Sequence, residues 1–140
     1  MEWSWLILLL IPIAWIVQNT IHEASHLLVG WWREGRKPIA LIPYPHKYNG
    51  LFYFARYTCS AGSKKDPEDL TDIAPFWAGF IWLDLQACLM YLTDSFWPLP
   101  FAVAGLIDAL FFWWGYFWGS SSCDGKRYRH RMNRGEYQNG

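Results

Sequence analysis

A chain of 140 residues has the length of one domain, and 53% hydrophobic with 20% aromatic content, including 11 Trp, excludes a disordered chain. The formal net charge is zero, which gives a nucleic-acid-binding reading no support. Three widely spaced cysteines without a C-x-x-C exclude a zinc ribbon and a thioredoxin-type site, and Cys59 and Cys88 read as unpaired thiols.

The mean hydropathy near zero averages very apolar segments with very polar ones. The first apolar segment covers residues 3–32. Its opening, MEWSWLILLLIPIAWIV, lacks the basic start of a signal peptide and reads as a retained span. Pro12 is tolerated in a membrane helix. Trp3 and Trp5 at one end, and Trp31 and Trp32 at the other, read as interface anchors. A helix of that length is about 44 Å long, close to a whole bilayer with its headgroups.

Within that span stands His22-Glu23-Ala24-Ser25-His26, an H-E-x-x-H. Residues four apart share a helix face, so both imidazoles can point at one ion while Glu23 flanks it. In that arrangement two His hold zinc, and the Glu takes a proton from a water whose pKa zinc lowers to roughly 7. The bland alternative is a polar helix end with two hydrogen-bonded histidines. Depth argues against it: LLVGWW still separates the motif from the Trp belt, and ionisable groups in a membrane are costly without a function. Gln18 and Asn19 can orient a histidine or bond a neighbouring helix.

Residues 33–72 form a loop with two runs rich in β-branched and aromatic residues around Asn49-Gly50, the signal of a β-hairpin. Pro43 and Pro45 place the first run at an edge or interrupt it. Asp66-Pro67 marks a turn or a helix start. Residues 73–92 and 99–118 are two further spans, each long enough to cross a hydrocarbon core. Residues 119–140 are a basic tail, which fixes topology and touches anionic headgroups. All twelve Lys and Arg lie in the loop or the tail, so both belong in the cytosol by the positive-inside rule. The fold expected is therefore a single α-helical integral membrane domain over residues 1–140. It has three transmembrane helices and a hairpin-containing cytosolic loop, and is multi-pass in a cytoplasmic (inner) membrane.

Catalytic zinc commonly takes three protein ligands. Asp124, just past the third span and on the same side as the His pair, is the first choice, because GSSSCDG can fold back into the protein. Asp108 is second and Cys123 third. His46, His130 and Asp84 complete the list, and Asp84 and Asp108 also read as a hydrogen-bonded pair between helices.

A membrane helix carrying HEASH, a hairpin-like segment, a further span and a late SSSCDG resembles the core of the site-2 protease family of intramembrane zinc metalloproteases. The resemblance implies His22, His26 and Asp124 as zinc ligands, Glu23 as catalytic base, and a membrane-protein or peptide substrate cleaved near the cytosolic face. This sequence has Ser-Ser-Ser-Cys where that family has Asn and Pro before a Leu-Asp-Gly. An edge strand of KYNGLFYFARYT can hold an unwound substrate by strand addition. The competing expectation is a non-catalytic scaffold or degenerate zincin with a structural metal. A di-iron hydroxylase needs more histidines than the four present.

Overall fold

The computed structural model describes residues 5–66, 68–120 and 123–138. Trp3, Pro67 and the last two residues of the tail lie outside them. Helix α1 covers Leu6–Glu34, with Pro12 inside it. It stops where the sequence supplies a glycine. Gly35 takes a left-handed conformation at φ 69°, and its N–H reaches the Trp31 carbonyl.

Four short strands follow: β1 Pro38–Ile42, β2 His46–Tyr48, β3 Leu51–Tyr53 and β4 Arg56–Cys59. They make one antiparallel hairpin paired in two stretches, β2 with β3 and β1 with β4. Asn49 and Gly50 turn the tip with φ of 51° and 78°, the two positive values that a two-residue hairpin turn requires. Pro43 and Pro45 fall in the gap between β1 and β2, where the first run is interrupted as expected.

The loop does not stay beyond the end of α1. Phe54, between β3 and β4, packs edge-on against Trp15 with ring centroids 6.2 Å apart. Trp15 is eleven residues before His26, about 16 Å along the helix. The hairpin thus folds back along the flank of α1, where its aromatic residues find an apolar surface.

Helices α2, Leu70–Thr93, and α3, Leu99–Trp118, coincide with the second and third expected spans. α2 begins three residues early because Asp66 stabilises its start. The Asp66 carboxylate accepts from Leu70 N at 2.9 Å and Glu68 N at 3.2 Å, and from Arg33 at 3.0 Å. α2 and α3 touch backbone to backbone at Gly79 and Gly105. A Cβ on Gly105 would stand 2.9 Å from the Gly79 carbonyl oxygen, so neither position has room for a side chain. Gln18 of α1 meets the same layer, its Nε2 3.6 Å from a Cβ on Gly79.

All three long helices are apolar enough to cross a membrane by length and composition. Their apolar bulk faces outward. The buried hydrophobic residues are mostly alanines, whereas Leu9, Ile13, Trp77, Ile81, Leu110 and Phe117 are all exposed.

The tail corrects the sequence expectation. It is not merely a basic extension: Asp124–Gln138 forms helix α4, docked on α2 and α3. Ion pairs hold it. Arg131 reaches Asp69 at 2.9 Å and Asp72 at 3.1 Å, and Arg127 lies 3.9 Å from Asp72. Tyr128 adds a ring contact with Phe112, centroids 6.0 Å apart.

Candidate metal centre

Two side chains of α1 and one of α4 meet in the centre. His22 and His26 lie one helical turn apart on α1, with ring centroids 5.1 Å apart. Asp124 is the first residue of α4. Its Oδ2 stands 2.9 Å from His22 Nε2 and 3.0 Å from His26 Nε2. Ligand atoms of these three residues all lie within 4.8 Å of one another.

Asp124 arrives there through its neighbours. A Cβ on Gly125 would collide with the Phe112 carbonyl and the Tyr116 amide, so only glycine lets α4 start against α3. Arg127 pairs with Asp124 Oδ1 and leaves Oδ2 to the histidines. Burial works against the Asp124 charge. With both rings protonated, hydrogen bonds and charge from His22 and His26 outweigh it and hold the carboxyl below the usual carboxylate range; a cation between the three groups would take the place of those protons.

The outer nitrogens of both rings are fixed. His26 Nδ1 lies 2.7 Å from the Thr71 carbonyl, which can only accept, so Nδ1 carries the hydrogen. That carbonyl is available because of Pro75. In a regular helix the amide of residue 75 would bond the oxygen of residue 71, and proline has no N–H. His22 Nδ1 lies 3.0 Å from both oxygens of Asp108, and Gln18 donates to Asp108 Oδ2 at 2.9 Å.

This donor set fits a cation. With Nδ1 as the donor, each neutral ring turns the lone pair of Nε2 toward a carboxylate oxygen. Three acceptors then face one point, and His26 is only 5% exposed. Acceptors at 3 Å repel unless a proton or a metal ion stands between them. Separations of 2.9 and 3.0 Å are a little short of the about 3.3 Å between tetrahedral zinc ligands at ~2.0 Å.

The other candidates stand elsewhere or do other work. Asp108 does not join the ligand cluster; it holds the far side of His22, because α3 brings it to Nδ1 rather than Nε2. Cys123 lies beside Ser120, Sγ to Oγ 3.8 Å, and is outside the cluster. His46 belongs to the hairpin, 2.8 Å from the Tyr44 carbonyl, and His130 is exposed on α4. Asp84 is exposed on α2 and forms no pair with Asp108. Asn19 bonds the Trp15 carbonyl of its own helix instead of a histidine. Glu23 is half-buried beside the cluster.

Tyr57 of β4 was not visible as a site residue in the sequence. Its ring lies 5.9 Å from that of His26, at an interplanar angle of 30°. Burial first, and then the Glu23 carboxylate, push its hydroxyl above the ordinary tyrosine value, so it remains a neutral donor. The hairpin places it there, a link that residue spacing alone does not reveal.

Comparison with protein-family models, with curated proteins and with solved structures gives no match.

Proposed function

We propose that this chain is an integral membrane zinc peptidase of site-2 protease type, with His22, His26 and Asp124 as ligands and Glu23 as general base. The observation that carries the proposal is the meeting of two lone-pair nitrogens and one carboxylate oxygen beside Glu23. Bound zinc supplies a Lewis acid and a water acidic enough to be deprotonated near neutral pH.

The chain's own residues do the rest. Asp108 and the Thr71 carbonyl lock the tautomers and orientation of the two rings. Glu23 accepts the proton from the attacking water and passes it to the leaving amine. Tyr57 adds a hydrogen-bond donor on the His26 side of the centre. The hairpin offers a free strand edge to an unwound substrate segment, with Phe52 57% exposed near its tip.

Membrane placement rests on the outward-facing apolar side chains and on the exposed Trp5, Trp31 and Trp32 at the two ends of α1. Ten of the twelve Lys and Arg lie in the connections at 33–37 and 64–65 or between 126 and 134, which supports a cytosolic side for those connections and α4; Lys47 and Arg56 lie in the hairpin along α1.

The test is metal analysis and cleavage of a membrane-span peptide by wild type and Glu23→Gln. The proposal expects one zinc per chain in both and cleavage only by wild type. Zinc in both with cleavage in neither would instead support the competing reading, a structural metal pinning α1 to α4. Absence of metal from the purified wild type would defeat both.

A further inference from the structure

The carboxyl end of α1 carries a charged cavity that the metal centre does not use. Trp32, Arg33, Lys64, Lys65 and Asp66 line a space of about 260 Å³. Its wall is held in place by the fold. Ser63 N and Lys64 N donate to the Glu34 carbonyl at 2.9 and 3.4 Å, which pins the connection into α2 against the end of α1. Asp66, its side chain 0% exposed, accepts from Arg33 Nε at 3.3 Å and Nη2 at 3.0 Å. That guanidinium stands over the Trp32 ring, 5.2 Å from its centroid.

The charges around this cavity are unevenly matched. Asp66 and the exposed Glu68, 3.6 Å from Arg33, answer the guanidinium. Lys64 and Lys65 are exposed, and their ammonium groups have no hydrogen-bond or ion-pair partner among the described residues. Hydrated lysines that only fix topology need no cavity. Here an arginine held by a buried carboxylate, two unpaired ammonium groups and an indole line the same one.

We infer that this cavity binds the phosphate headgroup of an anionic membrane lipid. The inference rests on the membrane placement proposed above and not on the metal. Depth fits it. Trp31 and Trp32, 54% and 68% exposed, stand where indoles sit at a membrane boundary, and Arg33 follows them directly. Size fits it too. The volume is just under the ~300 Å³ at which sites for drug-sized molecules begin, enough for a headgroup. The acyl chains stay outside, against the two indoles. Charge selects the lipid. Unpaired ammonium groups favour a phosphodiester with no cation of its own, and basic pockets at this level of a membrane protein suit such headgroups. A choline headgroup brings its own quaternary ammonium toward Lys64 and Lys65, and like charges repel.

The experiment is native mass spectrometry of the full chain in neutral detergent, titrated with phosphatidylglycerol or phosphatidylcholine. The inference expects one phosphatidylglycerol per chain, held at least about ten-fold more tightly than phosphatidylcholine. The double variant Lys64→Gln with Lys65→Gln should lose that preference, and because both side chains are exposed it should keep the helix content of wild type. Removing the same charge elsewhere, with Lys47→Gln and Lys126→Gln, should preserve it. Loss of the preference in both double variants means diffuse attraction to net charge and overturns the site. Equal binding of the two lipids by wild type overturns the inference and leaves the membrane placement standing. Glycerol 3-phosphate displacing the lipid at equal concentration makes a soluble phosphate the ligand and overturns the lipid assignment. A chain that fails to float with vesicles overturns the placement and the inference together.

Discussion

At the level of single residues, the proposed metal centre depends on groups outside its three candidate ligands. Asp108 orients His22, and removing such an outer partner typically costs ten- to a hundred-fold in metal affinity. Asp108→Asn is therefore expected to weaken zinc binding by about that factor, read by competition with a chelator, while His22 stays in place. Pro75→Ala restores an amide that competes with His26 for the Thr71 carbonyl. We expect zinc affinity to fall by about ten-fold, with little change in helix content by circular dichroism. Unchanged affinity would show that the proline serves only packing. The His pair was legible because two His four apart with Glu23 between them are a chemical signature, whereas Asp124 was reached only by its position past the third span and by the family resemblance. The role of Asp108 was not, since it depends on which nitrogen of His22 α3 approaches across 86 residues of sequence. Pro75 lay in plain view, yet its meaning appears only when His26 is seen opposite the carbonyl it leaves unpaired.

At the level of elements, the three spans were readable from apolar length, and the hairpin from Asn49-Gly50. α4 was not. Its sequence, DGKRYRHRMNRGEYQ, has no apolar stripe, and its docking comes from charges on another helix. Basic residues at 127 and 131 and acidic ones at 69 and 72 are complementary, but nothing local pairs them. Gly125→Ala should push α4 off α3, and zinc content should drop while the three spans remain inserted. Asp66 ties the end of α1 to the start of α2, and its side chain is 0% exposed. Burial opposes its charge, but Arg33 and the amides of Leu70 and Glu68 outweigh that and lower its pKa below the ordinary value. A lowered folded-state pKa gives stability that is complete above the unfolded value near 4 and lost as pH falls through the folded one. Thermal melts of wild type and Asp66→Asn should thus differ at pH 7 and converge only well below pH 4, with a gap of about 1–2 kcal/mol from the lost cap. A gap that closes already at pH 6 would contradict this account.

On the scale of the whole molecule, bulk is turned outward and polarity inward. Alanines and glycines bring the helices together, and Gln18, His22, His26, Asp108 and Asp124 occupy the interior. That inversion suits a lipid solvent, where small residues allow close backbone approach and polar groups need partners. Gly79→Leu should separate α2 from α3 and lower the thermal midpoint in detergent, with loss of zinc following. The same substitution at Gly50, where nothing lies within 4 Å of the added Cβ, strains only the turn and should leave zinc in place. Composition gave the long apolar runs and the 11 Trp, but which way their side chains face is seen only once the helices pack.

The distance between Asp124 and His22, 102 residues apart in sequence, also sets a clock. A chain grows from its amino end at about 5–20 residues per second, so Asp124 is made roughly 5 to 20 seconds after His22. During that interval the emerging α1 carries its histidines and Glu23 without their third partner. The centre closes only when the last helix has been made and has found Asp69 and Asp72. A chain ending at Gly119 should accordingly insert its three spans and yet retain no zinc on purification.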